Sequence, residues 1–398
     1  MSDREFDIVV FGATGFVGKL TAEYLAKQKP KRWAIAGRNK EKLDALGLNV
    51  PSIVVDAMDR AACDALAKRT RVVCTTVGPY TTYGTALVAA CAAAGTHYCD
   101  LTGEPNFMLT TIRANHERAR QTGARIVHAS GFDSIPSDLG TWATQQEFHE
   151  RYGHYADKVT AYYGEISGAF SGGTYASGIA IAEAMNAPAM RRALSSPYAL
   201  DPDPDAPKPK VDNRLVGWDP DMKMFFVPFI MAQTNGAVVR RGHALAGYPW
   251  GQEFTYREVM STPGNARGAV MAAAITAGMA GIAQILKRPT LRAMVQKRVK
   301  QPGEGPSAER MARGHWKVRF LAEGGSNGRK EKLRYVASDP HGDPGYASTA
   351  KMLGESALCL AYDKLSSPGG VQTPSVAMDG ALLDRLRRAG IVFEPGRY

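Results

Sequence analysis

Gly12, Gly15 and Gly18 in FGATGFVG stand between an apolar stretch, FDIVVF (6–11), and a helical stretch that starts at Gly15 and runs to about Lys27. Glycines so placed can hold a dinucleotide. The first permits a tight turn, the second lets the backbone approach a pyrophosphate, and the third lets helix and strand come together. The free N–H groups of the helix N-terminus then face the anion. Thr14, Phe16 and Val17 complete this loop. The spacing is GxxGxxG, as in reductase variants of the Rossmann fold.

The next apolar strand, WAIAG (33–37), runs into Arg38 about 20 residues beyond the last glycine, where an acid would hydrogen-bond a ribose 2′-hydroxyl. A guanidinium there suits a 2′-phosphate by charge and by bidentate geometry, Gly37 leaves room, and Lys40 adds a second cation. NADPH is therefore the expected cofactor, and a solvated surface arginine is the alternative. Asp56, closing SIVVD, is placed to meet the adenine edge or to cap a helix. Gly78, Pro79 and Tyr80, closing RVVCTTVG, fall where the nicotinamide half is expected.

No Tyr-x-x-x-Lys dyad, HExxH or Walker lysine loop occurs. GxSxG occurs once, at 324–328, but it joins two strand-like segments, HWKVRFLAEG and RKEKLRYVASD, and so reads as a hairpin, not a hydrolase elbow. The candidates for acid or oxyanion work are Tyr80, Asp133 and Tyr175, with Tyr83 and Ser134 beside them. Asp133 follows the sixth strand in SGFDSIPSD, where ligands collect, and an Asx-turn is its structural alternative. Tyr175 follows a glycine pair in SGGTYASG, and packing is the alternative there. No residue suggests a metal site.

These residues need a scaffold. FDIVVF, WAIAG, SIVVD, RVVCTTVG, THYCD and ARIVHAS alternate with Ala-rich helical patterns, which predicts an α/β, doubly wound parallel sheet of Rossmann type. Beyond about residue 131 the rhythm changes. DKVTAYYGEI (157–166) alternates like a half-buried strand, SGGTYASGIAIAEAM (171–185) begins a helix, and DPDPDAPKPK (201–210) reads as a loop. A second, α+β domain follows from this, and GYASTAKMLGESALCLAYDKL (345–365) is helical before the turn SSPGGVQTP.

With 398 residues, 44% apolar and 22% charged, the chain is neither disordered nor polytopic. MSDREFD lacks the apolar core of a signal peptide, and the five cysteines form no CxxC pair, so a reducing cytoplasm is expected. The net charge of +11 suggests an acidic partner, but no nucleic-acid motif is present. Gly268 to Leu286 is uncharged, with Met271, Ile275, Met279, Ile282 and Leu286 at helical steps. This stretch reads as a buried or homodimer-interface helix, as a wall for an acyl chain or a peripheral membrane contact through 268–300, or as a span. The following KRPTLRAMVQKRVK is basic enough to face anionic lipid or an acidic carrier.

FDIVVFGATGFVGKLTAEYLA, TTVGPYTTYGTALVAACAAAGTHYCDLTGE, RIVHASGFDSIPSDLG, FSGGT, DPGYASTAKMLGESALCLA and GGVQTPSVAM together resemble the saccharopine dehydrogenase-like oxidoreductases. The resemblance is strongest to their trans-acting enoyl reductases of polyketide-lipid (phthiocerol-type) biosynthesis, and it covers nearly the whole chain. It implies an NADP-binding Rossmann domain (1–135), an α+β substrate or dimerisation domain (136–344) and C-terminal helices (345–398) returning to the first domain. It also implies NADPH-dependent reduction of an α,β-unsaturated acyl thioester on an acidic acyl carrier domain of a polyketide synthase. The alternatives are an NADPH-dependent imine or carbonyl reductase and a nucleotide-regulated lipid-binding or membrane-binding protein.

Overall fold

The computed structural model describes residues 4–167, 186–287 and 306–396, except positions 213, 215, 308, 310, 312 and 327. Tyr175, the helix expected over 171–185 and most of the basic segment after Lys287 therefore lie outside the described residues.

The six apolar stretches of the first third are strands β1 (Phe6–Phe11), β2 (Trp33–Gly37), β3 (Ser52–Val54), β4 (Thr70–Thr75), β5 (His97–Asp100) and β6 (Arg125–Val127). Except in the edge strand β3, their β-branched and aromatic side chains are buried on both faces, as a parallel sheet covered by helices requires. Six described strands follow: β7 (Lys158–Ser167), β8 (Gly217–Asp219), β9 (Met224–Val227), β10 (Thr255–Pro263), β11 (His315–Ser326) and β12 (Arg329–Asp339). The last described strands are β13 (Gly370–Gln372) and β14 (Val392–Pro395).

These strands form two seven-stranded sheets. The first is parallel in the order β13-β6-β5-β4-β1-β2-β3, and the second is mixed in the order β14-β12-β11-β7-β10-β9-β8. In the first sheet the strand order reverses between β1 and β4. Ligands of open α/β sheets bind at the carboxyl ends of strands at such a point. The segment 324–328 lies in the antiparallel β11–β12 hairpin, as its flanks predict, which disposes of the hydrolase reading.

One core joins the two sheets. Val10, Ile35 and Val72 of the first sheet belong to the same buried cluster as Phe148 of the helix Ile135–Tyr152 and Phe320 and Tyr335 of the second. Each large apolar side chain so buried contributes about 1.5–3 kcal/mol. The C-terminal segment serves both sheets, since β13 extends the first beyond β6 and β14 extends the second beyond β12. Ahead of β13, the helix Thr349–Tyr362 lies against the helix Phe16–Gln28, where the Tyr24 hydroxyl donates to Glu355 at 2.6 Å.

The helix Ala266–Lys287 corrects one expectation. It rests on the second sheet with Gly268 and Ala272 buried, but Val270 is 71% and Met271 45% exposed. It is therefore not a core helix over its described side chains, and Met271 points away from the buried face. Among the described residues no helix is long and apolar enough to cross a membrane.

Candidate active site at the strand-order reversal

β1 ends at Phe11 and the chain turns at Gly12, whose φ of +93° is strained for any side chain. The Gly15 N–H donates to the Gly12 carbonyl at 2.9 Å and closes the turn. The helix Phe16–Gln28 starts immediately afterwards without a side-chain cap, so its first N–H groups are left for a ligand. Gly18 is buried, and a Cβ there would overlap the Gly12 carbonyl oxygen. Helix and strand can approach this closely only without that carbon. Thr14 is exposed at the tip of the loop, and Val17 is half-buried in the first helical turn. The Phe16 ring meets Tyr346 edge-on at 4.9 Å, so the C-terminal segment flanks the turn. A bare backbone and unbonded N–H groups fit a pyrophosphate.

Gly37 closes β2 beside this loop, with a Cβ placed on it 3.8 Å from the Thr14 hydroxyl oxygen. Arg38 follows, exposed and without a side-chain partner among the described residues. Lys40 is not a second free cation, because it pairs with Asp44 at 2.6 Å. Asp56 is exposed at the end of the β3 segment and accepts from the Met58 N–H at 2.9 Å, an Asx-turn. The cap of the helix Arg60–Arg69 is Asp59 instead.

On the other side of the reversal, Gly78 and Pro79 lead from β4 into the short helix Tyr80–Tyr83. Glu104, fully buried, accepts from the Tyr80 N–H at 3.0 Å and from the Thr81 N–H at 2.8 Å. It anchors the loop to the segment after β5. Tyr80 itself is a correction. Its ring is buried against Phe107, its hydroxyl donates to the Thr75 carbonyl at 3.2 Å, and burial pushes the phenol well above its ordinary range. A hydroxyl turned into the core cannot reach a substrate, so Tyr80 is a packing residue. Tyr80→Phe should keep steady-state NADPH oxidation within about twofold and lower stability by about 1 kcal/mol in denaturant titration.

Asp133 lies in the turn between β6 and the helix Ile135–Tyr152, at the carboxyl edge of the same sheet. It is half-buried and has no hydrogen-bond or ion-pair partner among the described residues. Burial alone raises its carboxyl to about 6. It is not the centre of an Asx-turn.

Beneath it is a buried polar network. The Ser134 hydroxyl donates to Asn235 at 2.9 Å, and the Asn235 amide donates to Glu258 at 2.7 Å. Glu258 also accepts from the hydroxyls of Ser137 at 2.8 Å and Tyr256 at 2.6 Å. Burial nevertheless raises it to about 7. A second network ties β5 to β6: Asp100 accepts from the Tyr98 hydroxyl at 2.8 Å and faces the His128 ring at 2.8 Å. Sequence reasoning missed Glu104, Asp100, His128 and Glu258. A lone acid in an apolar stretch, such as the Asp in THYCD, was the only signal for any of them.

Comparison with proteins of known name identifies the family. Residues 8–127, from β1 through β6, match the family described as the saccharopine dehydrogenase NADP binding domain. A Mycobacterium tuberculosis protein is 43% identical over 99% of this chain and 98% of its own length. A Mycobacterium leprae protein named a trans-acting enoyl reductase is 41% identical over 98% of this chain and 97% of its own. A further Mycobacterium tuberculosis protein of that name is 39% identical over 98% of each. Ligand-free saccharopine dehydrogenase (L-Glu forming) from Saccharomyces cerevisiae superposes with a TM-score of 0.56 at 14% identity, covering 98% of this chain and 99% of its own, a likeness of fold. With an NADP-binding module at one end and full-length kinship to named reductases, the chain belongs to the saccharopine dehydrogenase-like oxidoreductases, on their trans-acting enoyl reductase branch, and is an NADP-dependent oxidoreductase.

Proposed function

We propose that the protein reduces the C2–C3 double bond of α,β-unsaturated acyl thioesters presented on a separate acidic carrier domain. The observation that carries this reading is Asp133, an unpartnered and mostly enclosed carboxyl at the carboxyl edge of the NADP-binding sheet. The names of the mycobacterial relatives support the same reaction. When bound, NADPH would supply hydride chemistry at Cβ, with negative charge building toward the thioester oxygen. Asp133 holds the proton that Cα then takes, which restores the carbonyl and leaves the saturated acyl thioester. Gly12, Gly15 and Gly18 with the helix N-terminus hold the pyrophosphate, and Gly78 and Pro79 border the nicotinamide. Asp56, with exposed Val54 and Met58 beside it, borders the adenine.

Arg38 binds the 2′-phosphate in this reading. Arg38→Ala should weaken NADPH by at least about 1 kcal/mol and leave NADH nearly unchanged in fluorescence titration. Equal loss for both dinucleotides would count against it.

The net charge of +11 supports an acidic carrier as partner. The exposed apolar residues Val270 and Met271 support a further contact, with a lipid surface or a second copy of the chain. The reaction is tested by mixing the protein with NADPH and 2-dodecenoyl-CoA and following NADPH oxidation and the saturated product. Turnover that requires the 2,3-double bond is the expected result. NADPH binding with reduction of an imine but of no enoyl thioester, free or carrier-bound, would overturn it.

A further inference from the structure

We propose that the apolar turn Phe229-Ile230-Met231, at the entrance to the helix Ala232–Leu245, holds the acyl chain of the substrate beside Asp133, and that Gly103 keeps the passage between them open. This rests on the reading of an enoyl thioester as substrate. Three segments converge here: the loop after β5, the turn after β6 and the start of that helix. A Cβ placed on Gly103 would lie 3.0 Å from the Met231 methyl carbon and 3.9 Å from a carboxylate oxygen of Asp133.

The wall leading away from Asp133 is apolar. Phe229 stacks on Tyr163 with ring centroids 4.3 Å apart, and Tyr163 meets Phe132, the neighbour of Asp133, edge-on at 6.1 Å. Ile230, beyond Phe229, is 63% exposed, and no charged residue occurs from Phe225 to Ala232. The turn is also held in place. The Asn235 N–H donates to the Met231 carbonyl at 2.9 Å, and the Asn235 side chain is bonded to Ser134 and Glu258. An unbonded acid at one end of a fixed apolar wall matches a substrate whose polar thioester reacts and whose remaining chain is hydrocarbon. Each methylene taken from water strengthens binding about fourfold, so contact with a few of them exceeds tenfold.

The test compares crotonyl-CoA with 2-dodecenoyl-CoA in wild type, Ile230→Asn and Gly103→Val, with NADPH affinity measured for each. Ile230→Asn should lower the dodecenoyl-to-crotonyl ratio of kcat/KM at least tenfold. Gly103→Val should lower kcat/KM for both thioesters at least tenfold, with NADPH binding kept. An unchanged chain-length ratio in Ile230→Asn would overturn the proposal.

Calorimetric binding of dodecanoyl-CoA, which has no double bond to reduce, reads the contact apart from the reaction. Saturable binding that Ile230→Asn weakens at least tenfold supports the contact even where dodecenoyl-CoA is not reduced, and then only the proposed reaction fails. Absent binding, or binding that Ile230→Asn does not change, overturns the contact itself.

Discussion

Asp133→Asn is expected to lower turnover of an enoyl thioester by about 10²–10⁴-fold and at the same time to make the protein more stable at pH 7. Both effects follow from one property. The Asp133 carboxyl is raised to about 6 in the fold by burial, with no partner to offset it. Its contribution to stability is therefore most favourable below the unfolded-state value of 3.8. That contribution falls as pH rises toward about 6 and stays reduced above it, because the folded state must then carry a poorly solvated charge.

The full displacement corresponds to about 3 kcal/mol, and the partial opening to solvent lowers the expected gain on removing the charge to about 1–2 kcal/mol. Wild-type kcat/KM should fall above about pH 6, where the acid form of the free enzyme is lost, and Asn at this position should abolish that break. Denaturant titrations at pH 7 together with pH–rate profiles of both proteins decide the matter. A variant that keeps its rate, or loses stability, would show that Asp133 only supports the turn.

The second large effect is steric. Gly18→Ala should weaken NADPH and NADH alike by at least about 100-fold and should also destabilise the ligand-free protein. The added Cβ falls on the Gly12 carbonyl oxygen, and the Thr76 hydroxyl is close by on the other side. The helix Phe16–Gln28 must then draw away from β1, taking with it the N–H groups that face the pyrophosphate.

Gly15→Ala separates the two consequences. Its backbone, φ −75° and ψ 161°, accepts any side chain, and its Cβ would lie 3.3 Å from the same carbonyl oxygen. It should leave ligand-free stability within about 1 kcal/mol while still weakening both dinucleotides, since the new methyl enters the phosphate cradle. Thermal melts with titration of both nucleotides read the difference. A Gly18→Ala protein with normal stability and normal binding would mean that helix and strand need no such approach.

Local pattern made several features legible. The strands β1 to β6 show as short, mostly apolar stretches, because β-branched residues suit strands and burial of all but β3 favours apolar side chains. The glycine loop shows because φ at Gly12 and the contact at Gly18 demand residue type, not context. The β11–β12 hairpin shows because alternation and turn residues are short-range signals. β13 and β14 do not show. They exist because β6 and β12 offer unpaired edges to whatever segment tertiary packing brings there.

The same division runs through the site. The sequence by itself determined the place of the dinucleotide, because glycines and a cation at fixed spacing act through backbone geometry and charge close to where they stand. Only the tertiary structure decided which polar side chain faces the crevice. Tyr80 and Asp133 are alike in sequence as polar residues just after a strand, yet the fold turns the phenol into the core and leaves the carboxyl without a partner. Glu104, Asp100 and Glu258 were hidden for the same reason. A buried acid is specified by the groups that surround it, and beside near neighbours such as Tyr98 and Tyr256 these come from segments 23 to 29 residues away or, for Ser137 on Glu258, from 121 residues away. Chain order cannot display the distant ones among these neighbours, whereas the packing of loops and helices against the strands creates them.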